Sequence, residues 1–154
     1  MSPITVTDHT IVQEVTIKAP AERIFNALTR PAELLKWWNC EGKFQLIHAE
    51  CDVRPGGGWL MRVQGANCRT GQPESVVSGE YRTVDPPTTL EFTWNRKGED
   101  YPESLVRWDL DEKNGCTTVR VTHSGLISEQ MRARNNGWSL ILQLMHDYLS
   151  HDAD

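Results

Sequence analysis

Residues 105–123 read LVRWDLDEKNGCTTVRVTH, and this stretch decides the fold. Val106, Trp108 and Leu110 occupy alternate positions before the break, and Val119, Val121 and His123 occupy alternate positions after it. Successive side chains of a strand point to opposite faces, so each run has one buried face and one wetted face. Asn114-Gly115 between them suits a two-residue hairpin turn, whose central residues must adopt positive φ. The reading is a pair of antiparallel strands, with Arg107, Asp109 and Asp111 on the outer face.

Working upstream, the same texture recurs in Phe44–Cys51, Trp59–Gln64, Val76–Val84 and Thr89–Asn95. These segments are separated by Arg54-Pro55-Gly56-Gly57-Gly58, the 65–71 stretch, Asp85-Pro86-Pro87 and the 96–102 stretch, all rich in turn-forming residues. Six strands in meander order follow, with Trp59, Met61, Val63, Tyr81, Leu90, Phe92 and Trp94 in the inward phase. A further strand is predicted over Thr10–Lys18, interrupted only by Gln13. Pro20 then opens a helix that Arg30-Pro31 ends, and a second short helix carries Leu34, Leu35 and Trp38. Downstream, Trp138, Ile141, Leu142, Met145, Tyr148 and Leu149 form one apolar stripe of a long helix over Ser128–Ser150. Asn135-Asn136-Gly137 would loosen its first turns, and a glycine at 137 suggests close approach of another backbone. Helices segregated from a run of strands predict an α+β fold with a curved seven-stranded antiparallel sheet around the C-terminal helix.

The 154 residues, 17.5 kDa, suit a single domain over 1–154 with a core of its own. Sixteen Lys and Arg against twenty-one Asp and Glu leave a net charge of −5, which argues against nucleic acid as a partner. No apolar run reaches the length of about 18 residues that a membrane span needs, and Met1–Val15 lacks a signal-peptide pattern. The expectation is a cytoplasmic protein whose cysteines, Cys40, Cys51, Cys68 and Cys116, are free thiols without a Cys-x-x-Cys pair.

A sheet that curves away from a straight helix leaves interior space, and that space is the candidate site. Its expected lining is Trp38, Trp59, Met61, Tyr81, Trp94, Trp108, His123, Trp138, Leu142 and Met145. Of Trp37-Trp38, one ring enters the core and the other closes the cavity. Trp and Tyr carry a polar atom that needs a partner once buried, which sets this face apart from a Leu and Ile core, although aromatic packing alone explains such a face too. His123, inward near the cavity mouth, either titrates or hydrogen-bonds a ligand there, or ties a loop to the sheet. No catalytic set, metal site or cofactor is indicated. His48 and Cys51 fall on opposite faces, His146 and His151 lie near the carboxyl end, and no nucleophile elbow or phosphate loop is present.

The run Ala19-Pro20-Ala21-Glu22-Arg23-Ile24-Phe25-Asn26-Ala27-Leu28-Thr29 resembles the opening of the START-like, helix-grip superfamily (SRPBCC). Within it the chain is similar to the branch named after the activator of heat-shock-protein ATPase, grouped with polyketide-cyclase-like proteins. The matching segments are Trp37-Trp38, Pro55-Gly56-Gly57-Gly58-Trp59, Gly79-Glu80-Tyr81, Leu90-Glu91-Phe92-Thr93-Trp94, Thr122-His123-Ser124-Gly125-Leu126 and Gly137-Trp138 with Leu142. The resemblance implies a curved seven-stranded sheet gripping the terminal helix, with a cavity that in relatives receives lipids, polyketides or other hydrophobic molecules. Three functions are compatible with it. The favoured one is binding or carriage of a small hydrophobic or aromatic molecule. The others are a cyclase or aromatase in which His123 or Tyr81 moves a proton, and a stress-related co-chaperone-like interaction module. A homodimer through sheet edges or helices is compatible with each.

Overall fold

Asn114 and Gly115 have φ of 54° and 79°, and Lys113 pairs with Cys116 across them, so the two-residue hairpin forms where its turn chemistry places it. The computed structural model describes residues 5–7, 10–40, 44–65, 74–97, 102–134 and 137–152. Along the chain the elements are β1 (Thr5–Thr7), β2 (Thr10–Ile17), α1 (Ala21–Thr29), α2 (Pro31–Trp37), β3 (Asn39–Cys40), β4 (Phe44–Cys51) and β5 (Gly58–Gln64). They continue with β6 (Glu74–Asp85), β7 (Thr89–Arg96), β8 (Ser104–Lys113), β9 (Cys116–Ser124), α3 (Glu129–Arg134) and α4 (Trp138–Asp152). At Gly115 an alanine would hold a left-handed conformation that disfavours a Cβ. Gly115→Ala is expected to cost about 1 kcal/mol in urea denaturation at unchanged m-value, because part of the strain is offset by a stiffer unfolded chain.

One antiparallel sheet results, ordered β1-β2-β9-β8-β7-β6-β5-β4-β3. The seven predicted strands are its body, and β1 and β3 extend its two edges. Two- and three-residue strands carry no readable period, which is why the sequence did not announce them. Register shifts between Leu46 and His48 and between Tyr81 and Thr83 mark bulges in β4 and β6. Bulges bend a strand and increase its twist, so they supply part of the curvature.

The helices are fixed by specific bonds as well as by burial. Pro20, the N-cap of α1, offers no side-chain cap, and Glu112 of β8 instead accepts the Ala21 N–H at 2.7 Å. A carboxylate there also faces the positive end of the helix dipole. Thr117 donates to the Ala19 carbonyl at 2.7 Å, and the Trp37 indole donates to Ala27 at 2.8 Å, joining α2 to α1. Glu33 of α2 accepts from both Arg23 of α1, at 3.2 and 3.3 Å, and the Tyr148 hydroxyl of α4.

The predicted Ser128–Ser150 helix is divided into α3 and α4. Gly137 precedes α4 and its carbonyl accepts the first helical bond, from Ile141 at 3.2 Å. A Cβ at Gly137 would meet nothing within 4 Å, so the expected close backbone approach does not occur. Glycine is there as a helix start, a position it tolerates well. Leu142, Met145 and Leu149 of α4 are buried against the sheet. Among the described residues no helix is long and apolar enough to cross a membrane. Cys40, Cys51 and Cys116 are free thiols, and Cys68 lies outside the described residues.

Candidate functional site

Every residue assigned to the inward phase is buried, from Trp59 and Met61 on β5 to Val121 and His123 on β9. The large rings interlock. Trp94 and Trp138 meet edge to face at 5.4 Å between centroids, Trp108 and Trp138 at 5.7 Å, and Trp59 and Trp94 are tilted at 5.4 Å. Such edge contacts suit the ring quadrupole. Only about 30 Å³ is left among these rings and Tyr81, the size of one water molecule.

The larger space lies farther along, where β4 to β7 diverge from the start of α4. It measures about 250 Å³. Phe44, Met61, Val63 and Val77 form the sheet wall, together with Ser75, Trp94 and Arg96. Gly137, Trp138, Leu140 and Ile141 face them from the helix side, and Trp38 closes one end. Trp38 also meets Trp138 edge to face at 6.3 Å, while its neighbour Trp37 is committed to the α1 contact.

Of the ten residues expected to line the site, Trp38, Met61, Trp94 and Trp138 border this cavity. Trp59, Tyr81 and Trp108 reach only the small void, and His123, Leu142 and Met145 lie in the packed core outside both linings. Residues missed by sequence reasoning include Ser75 and Arg96. Each stands one position beyond the predicted end of its strand, and Arg96 shares the phase of Trp94.

His123 is fully buried and joins the helix to the sheet. Its Nδ1 accepts the Trp138 indole N–H at 3.1 Å, and its Nε2 lies 2.8 Å from Ser104 Oγ. Indole nitrogen can only donate, so Nδ1 carries no proton and the neutral ring bears its hydrogen on Nε2. Ser104 then passes its own hydrogen to the Trp94 carbonyl at 3.3 Å. Burial, and secondarily the Arg96 charge, push the His123 pKa down to about 3. Burial likewise pushes the Tyr81 phenol up, as do the neighbouring Cys51 and Asp52. Both groups therefore stay neutral across the physiological range. His48 is exposed and bonded to Glu50 at 2.7 Å, and among the described residues no group of His, Cys, Asp and Glu is placed to hold a metal ion.

A curved antiparallel wall closed by a C-terminal helix over an apolar cavity defines the helix-grip class of α+β proteins. Within that class the chain belongs to the Activator of Hsp90 ATPase homolog 1-like protein family, whose model matches residues 18–150. Among solved structures, a protein from Mycobacterium smegmatis superposes with a TM-score of 0.79 at 21% identity, over 96% of this chain and 97% of that one. A protein from Chromobacterium violaceum gives 0.77 at 23% identity, over 92% and 98% of the two chains. An AHSA1-like protein from Aeromonas hydrophila gives 0.76 at 20% identity over 94% of each. These likenesses establish the fold. No curated protein matches the chain.

Proposed function

We propose that the protein, acting as one domain, binds a small apolar or aromatic molecule in the cavity between the sheet and α4. The observation that carries this reading is the 250 Å³ of space bordered chiefly by apolar and aromatic side chains in a core that is otherwise closely packed. An apolar cavity of roughly 150 Å³ accommodates one benzene, so this one suits a molecule of roughly ten heavy atoms, with one or two rings. Apolar burial would supply most of the affinity, and the few polar groups on the wall would set orientation. The proton-transfer alternative loses support because His123 and Tyr81 both titrate far from neutral pH.

The test is cavity filling. Val77 is buried on the cavity wall, and Val77→Phe places extra carbon in the open space. Binding of one- and two-ring aromatic probes, followed by chemical shifts of the indole N–H signals, should weaken by about tenfold or more, while the melting temperature is kept or raised. Unchanged affinity in a folded Val77→Phe protein would remove the cavity from the function.

A further inference from the structure

Two polar features stand together on the wall of this otherwise greasy cavity. The first is Trp94 Nε1. Trp94 is only 6% exposed, and its indole nitrogen is the one buried side-chain nitrogen or oxygen among the described residues that has no hydrogen-bond partner. Buried donors are nearly always paired, since leaving one unmade forfeits its hydration without return. Three other indoles show the rule at work: Trp37 donates to the Ala27 carbonyl at 2.8 Å, Trp59 to the Thr93 carbonyl at 3.1 Å and Trp138 to His123. Trp94 borders both the cavity and the small void, so open volume lies beside its ring.

The second feature is Arg96, two residues on along β7 and in the same phase. Its guanidinium carbon stands 5.6 Å from the Trp94 ring centroid, a cation-π geometry that keeps the charge at the cavity. Among the described residues that line the cavity, Arg96 alone is charged. In a chain of net charge −5, positive charge there stands out against the whole. Ser75 adds a hydroxyl on the neighbouring strand, where Val77 pairs with Arg96.

We infer that the ligand is an aromatic carboxylate of one or two rings, with one carboxylate oxygen accepting the Trp94 Nε1–H and its charge facing Arg96. The apolar body would occupy the space between Met61, Val63, Val77 and Ile141. This inference rests on the cavity reading above and narrows it to a ligand class.

The experiment compares 1-naphthoate with 1-methylnaphthalene, which has the same ring body and no acceptor, by titration of the ¹⁵N-labelled protein. The carboxylate should bind about tenfold more tightly or better and move the Trp94 indole N–H signal downfield. Trp94→Phe keeps a ring and removes the donor, and Arg96→Gln removes the charge. Each should weaken naphthoate binding more than methylnaphthalene binding and so erase most of the preference for naphthoate. Equal binding of the two probes, or naphthoate binding with an unmoved Trp94 signal, would overturn the ligand class and leave the cavity reading standing. Failure of both probes to bind would overturn the cavity reading together with the inference.

Discussion

Gly79→Ala should destabilise the protein by about 3 kcal/mol or more, lowering the melting temperature by about 6 to 12 °C. A Cβ on Gly79 would lie 1.9 Å from the Thr93 carbonyl oxygen, 2.6 Å from its carbon and 2.7 Å from Trp59 Nε1. The first two are backbone of the adjacent strand, so no rotamer change relieves the clash. The third belongs to the indole that crosses over this glycine to donate to Thr93. Thr93 is held from a second side as well, its hydroxyl accepting the Glu80 N–H at 2.8 Å. The added methyl must therefore push β6 away from β7 in the middle of the wall or expel Trp59 from its hydrogen bond. Gly58→Ala is the matched control. There the nearest atom to the new Cβ is 3.8 Å away, ordinary contact distance, and the change should stay within about 0.5 kcal/mol. If both variants melt within a degree or two of the parent, the close passage of Trp59 over Gly79 is wrong.

The wall that Gly79 helps to close was largely legible in the sequence, because turns and alternation are local properties. Asn114-Gly115 determines its own backbone angles, and period-two alternation fixes which side of the sheet Trp94, Trp108 and His123 occupy. The site was less legible, because it depends on what packing leaves empty. Nothing in the spacing of Trp94, Trp108 and Trp138 states that their rings turn edge-on and fill the volume beneath α4. Phase placed His123 inward, yet its two partners come from elsewhere: Trp138 from the helix, and Ser104 from the residue before the predicted start of its strand. Arg96 was hidden in the same way, one residue past the predicted end of β7, since strands here run beyond their turn signals. Gly137 read as a close contact because glycine inside a helix demands a reason, and the demand vanishes once the helix starts there.

Acidification should expose the structural role of His123. In the unfolded chain an imidazole takes up its proton near pH 6.5, whereas in the folded protein His123 does so only near pH 3. Between those values the unfolded state binds more protons, so stability is full above pH 6.5 and is lost as the pH falls toward 3. The slope is about 1.4 kcal/mol per pH unit, so His123 alone should remove about 2 kcal/mol between pH 7 and pH 5 and on the order of 5 kcal/mol over the whole window. The geometry explains why the site resists protonation: Nδ1 already accepts the Trp138 N–H, so a proton there would face a donor, in a fully buried position. His123→Gln retains an acceptor for Trp138 and a donor for Ser104 but cannot ionise. Urea denaturation at pH 7, 6 and 5 should therefore show a shallower fall for the variant, by about 1 kcal/mol per unit in the lower half of that range. Carboxylate contributions are common to both proteins and cancel in the difference. Imidazole ¹⁵N shifts of the parent give an independent reading that does not require the variant to fold. They should report the Nε2–H tautomer, unprotonated at pH 5, and a His123 signal that titrates between pH 5 and 7 would refute the buried relay from Trp138 through His123 to Ser104.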